Sequence, residues 1–181
     1  MSAPPASTHA VPRAQREAGS PISALGLAGR WPARAAATLA FASAAVTLLW
    51  TLGGTLLLDT VGGAPEDIAR EHSLGSFAFG TGVVLLKVTA GLLVLALLRR
   101  DAGRLRRRGL LIANGAAGAI LLAWGGANVV LGGLVLAGVI TPDGSVDERS
   151  LRWHVFLWDP WFVLWSVLIA VAVVRWRRGA S

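Results

Sequence analysis

The chain has 181 residues, 54% of them hydrophobic and 15% charged, with a mean hydropathy of +0.61; soluble domains carry roughly 25% charged residues, so a water-soluble globular fold is excluded. The net charge of +7 sits on arginines between apolar runs, which argues against nucleic acid as a partner. With no cysteine, disulfides, thiolate metal sites and thiol redox chemistry are excluded together.

In chain order, residues 1–30 are rich in Ala, Pro and Ser and read as a disordered tail. A membrane domain over 31–176 follows, and 177–181 form a short second tail. Within it, apolar runs at about 35–58, 77–98, 110–140 and 153–174 are each long enough for a bilayer core of roughly 30 Å. They predict an all-α, integral membrane four-helix bundle. The first run starts too late and is too long to be the apolar region of a cleaved signal peptide. The third run exceeds the core thickness, so it must tilt or extend into water.

The first span carries Ser43, Thr47, Thr51, Thr55 and Asp59, each four apart, with Trp50 beside them. Steps of four slip about 40° around a helix, giving a winding polar ridge. Its hydroxyls either bond carbonyls one turn back or wall a cavity.

Lys87 falls at the middle of the second span, where insertion costs roughly 2.5 to 3.5 kcal/mol. Gly80, Ala90 and Gly91 share its face and would let another helix approach, so Lys87 is expected to face the bundle. By depth along the spans, Asn128 is level with it and Asp159 about one turn closer to the outside. A structural Lys87–Asp159 ion pair is the first reading, and a ligand or proton site on the same charges is the alternative.

The third span presents Trp124, Asn128 and Gly132 at steps of four. Its other glycines, Gly115, Gly118, Gly125, Gly126 and Gly133, are read as packing positions. The fourth opens LRWHVFLWDPWFVLW and is expected to place His154, Trp158, Trp161 and Trp165 on one face. Asp159–Pro160 looks like a helix start, but that leaves too short a span, so a helix entering near Trp153 and perturbed at Pro160 is preferred. His72 and His154 fall near the outer interface. Two histidines without a third ligand do not make a zinc site, and neither metal nor cofactor is expected.

Thirteen of the 17 basic residues lie in 1–34, 99–108 and the tail after Val174, whereas Asp59, Glu66, Asp67, Glu71, Asp143, Asp147 and Glu148 lie in the other two connections. The positive-inside rule then puts both termini in the cytoplasm.

The segments WTLGGTLLLDTVGG (50–63), WGGANVVLGGLVLAGV (124–139) and RWHVFLWDPWFVLW (152–165) resemble the blocks of an uncharacterised family of small four-helix bacterial membrane proteins, domain of unknown function 3995. The resemblance implies a four-span inner-membrane protein and assigns no reaction. A fainter likeness to four-helix sterol isomerases and membrane terpene cyclases rests on residue types, without their intramembrane Glu pairs.

The leading functional reading is a non-enzymatic bundle holding a lipophilic small molecule or another membrane protein in an outward-facing polar and Trp-lined cavity. Its lining would include Trp50, Lys87, Trp124, Asn128, His154, Trp158, Asp159, Trp161 and Trp165, with membrane lipids around it. The alternative is a membrane-embedded isomerase or cyclase using Asp159, Asp59 or Lys87, and the third is a small transporter.

Overall fold

Alanines at 33, 36, 37, 40 and 44 give the first long helix, α1 (Trp31–Thr51), a smooth face that is almost entirely buried. Pro32 sits in its first turn, where a missing N–H leaves nothing unsatisfied. The computed structural model to which this helix belongs describes residues 30–99, 104–142, 144 and 146–178. All but the last residue of the expected tail over 1–30, the centre of the arginine-rich loop at 100–103 and the last residues, 179–181, lie outside them.

α1 stops at Thr51, short of the expected boundary at 58. Gly53 takes φ +89, which ends the helix and turns the chain back. The Trp50 indole N–H donates to the Leu56 carbonyl at 2.8 Å and anchors this return, which continues into a 3-10 turn at Leu58–Thr60. Thr55 and Asp59 therefore do not extend the hydroxyl ridge.

Then come α2 (Gly63–Glu71), absent from the sequence reading, and α3 (Leu74–Ala96), capped by Ser73, whose Oγ accepts from the Ser76 N–H at 3.1 Å. After α4 (Arg104–Leu136), Asp147 caps the short α5 (Glu148–Trp153). The Asp147 carboxylate also accepts from the Ser150 hydroxyl at 2.6 Å, which holds its pKa below the usual carboxylate value. A π-helical turn, His154–Trp158, joins α5 to α6 (Asp159–Arg178) in one continuous helical run. The expected perturbation near Pro160 is thus real, but it falls on the turn before the proline.

Four helical stretches, Trp31–Thr51, Leu74–Ala96, Leu105–Leu136 and Glu148–Arg178, are long and apolar enough to cross a membrane, and no strand occurs among the described residues. α1 and α3 run antiparallel: a Cβ on Gly80 would meet the Thr51 side chain, and one on Gly91 would meet Phe41 and Ala40. α4 and α6 form the second antiparallel pair. Gly118, Gly125 and Gly132, seven apart, face Ile169, Asp159 and Val155.

The pairs join through α1 and α6, where Trp165, Leu168, Ile169 and Ala172 pack with the alanine face of α1. A small-residue face opposite large ones permits close packing, the main attraction between helices surrounded by lipid. α3 and α4 meet little beyond their connecting end. There the Asn114 amide, 1% exposed, donates to the Leu93 and Leu110 carbonyls at 3.2 and 2.9 Å. At the same end Arg175 lies 5.7 Å over Trp31 and Arg107 lies 5.2 Å over Trp176.

Candidate functional site

The polar residues singled out in the sequence separate into two groups. The first lies between α1 and α3. Lys87 Nζ donates to Thr47 Oγ1 at 2.7 Å and to the Ser43 carbonyl at 3.4 Å. Thr47 donates in turn to that carbonyl at 3.0 Å, and Thr51 donates to the Thr47 carbonyl at 2.8 Å. The hydroxyls thus bond one turn back, and Thr47 also receives the lysine.

The expected Lys87–Asp159 ion pair is not formed. Lys87 lies on the face of α3 that meets α1, whereas Asp159 belongs to the α4–α6 seam. Equal depth along two spans does not make them neighbours.

The end of α1, the return after it, α2 and α3 border a cavity of about 540 Å³. Lys87 and Thr47 are at one end and His72 and Ser73 at the other, with Trp50, Phe77 and Val83 on the walls and α2 contributing Pro65, Ile68 and Ala69. α2 is amphipathic. Its apolar residues turn to the cavity while Asp67 and Arg70 are exposed, and Arg70 is paired with Glu66 at 2.7 Å. His72, in the left-handed region at φ 50, ends this helix at the mouth.

The second group is held by the π turn. Five residues along an α-helix amount to about 140° of rotation, so His154 and Asp159 would diverge. An i to i+5 turn brings them onto one face. The His154 Nδ1 lies 3.1 Å from Asp159 Oδ2, and Nε2 donates to the Val61 carbonyl at 2.8 Å. The Asn128 amide reaches Asp159 Oδ1 at 3.3 Å. The carbonyl fixes a proton on Nε2, and Nδ1 is left facing Asp159 Oδ2.

Trp158 donates from its indole to Thr60 Oγ1 at 3.1 Å and meets Trp50 edge to face, with centroids 5.6 Å apart. This cluster therefore ties the 58–62 return to the fourth span. Asp159 is 1% exposed.

Of the nine expected lining residues, only Trp50 and Lys87 line the cavity. Asn128, His154 and Asp159 form the group held by the π turn, and Trp158 lies next to it. Trp124 is 65% exposed and points away from the protein: one residue before Gly125, it sits about 100° off the α4–α6 seam. Trp165 is buried in the core. Its indole N–H and that of Trp161 are enclosed without an acceptor among the described residues.

The catalytic candidate Asp59 makes an exposed 2.7 Å pair with Arg149, a contact of the kind that contributes little. Three participants were missed. The apolar face of α2 was hidden in a charged segment, the Val61 carbonyl has no side-chain signal, and Asn114 was passed over although an amide in a span is itself a signal. No group of three metal-ligating side chains occurs among the described residues.

The sequence model of a family described as "Protein of unknown function (DUF3995)" matches residues 39–169. That is most of the chain, and the chain belongs to this family. No curated protein and no solved structure matches it.

Proposed function

We propose that this member of the DUF3995 family is a non-enzymatic bundle of the bacterial inner membrane, with both termini in the cytoplasm, that holds a lipophilic small molecule in the cleft between α1 and α3. One observation carries the reading: a mostly apolar cavity of about 540 Å³ with the Lys87 ammonium at its inner end. That volume lies within the roughly 300 to 1,000 Å³ of small-molecule sites. The isomerase or cyclase alternative needs His154 or Asp159 to reach a substrate. Both ring nitrogens of His154 are engaged and Asp159 is enclosed, which supports a structural role for that pair.

The orientation rests on the distribution of arginine. Trp31 and Arg175 share one end with the α3–α4 connection, and 13 of 17 basic residues fall in the segments of that end.

Mass spectrometry of the protein purified in mild detergent tests the function. The wild type should carry a lipophilic molecule, and Val83→Phe, which puts a ring into the cavity beside Lys87, should carry much less of it while remaining folded. Retention by Val83→Phe, or copurification of a membrane protein alone, would overturn the small-molecule reading.

A further inference from the structure

The chemistry of the cleft restricts what it can hold. An ammonium has three N–H donors, and Lys87 spends two, on Thr47 Oγ1 and the Ser43 carbonyl. Both acceptors are uncharged. Among the described residues no carboxylate pairs with Lys87, although Asp59, Glu66, Glu148 and Asp159 all have partners of their own. A half-buried cation in mostly apolar surroundings without a counter-charge is costly. The acids of α2 do not supply one, because the helix turns only Pro65, Ile68 and Ala69 to the cavity.

Between Lys87 and the His72–Ser73 mouth the walls are mostly hydrocarbon: Trp50, Leu52, Ile68, Phe77, Phe79 and Val83 line them, with Thr51 and Ser76 beside them. From Lys87 to Ser73 along α3 is about 21 Å at helical rise, long enough for one extended alkyl chain below the mouth. A free inorganic anion would leave these walls without a partner. A neutral apolar molecule would leave the ammonium without one.

We infer that the cleft takes a single-chain amphiphile with an anionic head, a carboxylate or phosphate, whose head accepts from Lys87 Nζ as its counter-ion and whose chain lies along the Phe77–Val83 wall under α2. This rests on the binding function proposed above and names the class of ligand for that site.

Binding of tritiated palmitate, hexadecyl phosphate and hexadecanol to the full chain in phosphatidylcholine nanodiscs separates the possibilities. One of the two anions should bind saturably and roughly ten- to a hundredfold more tightly than the alcohol, the worth of one charge-assisted hydrogen bond. Which one does so distinguishes carboxylate from phosphate. Lys87→Met should reduce the anion to the level of the alcohol, Lys87→Arg should retain most of the preference, and Val83→Phe should weaken all three probes.

If the alcohol binds as tightly as the anions and Lys87→Met changes nothing, the anionic head is wrong and the cleft still binds. If no probe binds, or Val83→Phe leaves binding untouched, the cleft itself is the wrong site and both readings fall. Melting temperatures of the variants in the same nanodiscs separate loss of binding from loss of fold.

Discussion

Asp159 accepts from Asn128 and lies against His154 Nδ1, whereas Lys87 rests on a hydroxyl and a carbonyl of α1, so the two polar centres have no common partner. Their effects on stability should therefore be independent. Asp159→Leu strips His154 and Asn128 of their acceptor and should destabilise the protein in detergent by about 1 to 3 kcal/mol, the cost of leaving polar partners unsatisfied. Lys87→Met removes a charge that has no carboxylate and should cost far less. The double variant should be additive within about 0.5 kcal/mol, and thermal unfolding that reveals a larger coupling would restore the ion pair suggested by the depth of the two residues. Lys87 as a cation facing another helix was legible because charge in an apolar run stands out. Its partner was not, because depth gives one coordinate and the azimuth of each helix comes only from packing.

At the scale of the element, the π turn at His154–Trp158 decides which side chains meet. Phe156 is 75% exposed, so its side chain contributes little to packing within the chain. Phe156→Ala should change stability by no more than about 0.5 kcal/mol. Deleting Phe156, by contrast, would place His154 and Asp159 four apart, on one face of a regular α-helix, so the pair should survive and the loss of stability should stay well below that of Asp159→Leu. A deletion as destabilising as Asp159→Leu would show that the π turn itself, and not a shared helix face, positions the pair.

The glycines of α4 offer a second comparison. A Cβ on Gly125 would meet the Asp159 carbonyl oxygen at 2.7 Å and Phe162 Cβ at 3.0 Å, while one on Gly126 would meet nothing within 4 Å. Gly125→Leu should cost at least about 1 to 3 kcal/mol and Gly126→Leu almost nothing. The packing role of these glycines was readable from the sequence. The split between Gly118, Gly125 and Gly132 on the seam and Gly115, Gly126 and Gly133 off it is a matter of phase that a count of glycines misses. The π turn left no mark except a proline two residues later.

At the scale of the whole molecule, the spans and the clustering of arginine were legible because both are composition spread over twenty residues, and the return after Gly53 was not, because a single φ ended α1 early. The proposed orientation can be read directly, since the native chain has no cysteine to confuse labelling. A cysteine at Asp67 should react with a membrane-impermeant thiol reagent on intact cells and one at Gly103 should not; the reverse pattern would invert the protein. The contact between α1 and α6 has a further consequence, for biogenesis. The helices that share the core are the first and last spans, and α6 begins at Asp159, about 108 residues after Thr51. At 5 to 20 residues per second, that separation corresponds to roughly 5 to 20 s of translation. During that interval the alanine face of α1 has only α3 beside it, and a chain that stalls before Glu148 never covers it. An unfinished copy of this protein therefore turns to the bilayer a small-residue face that a finished copy hides.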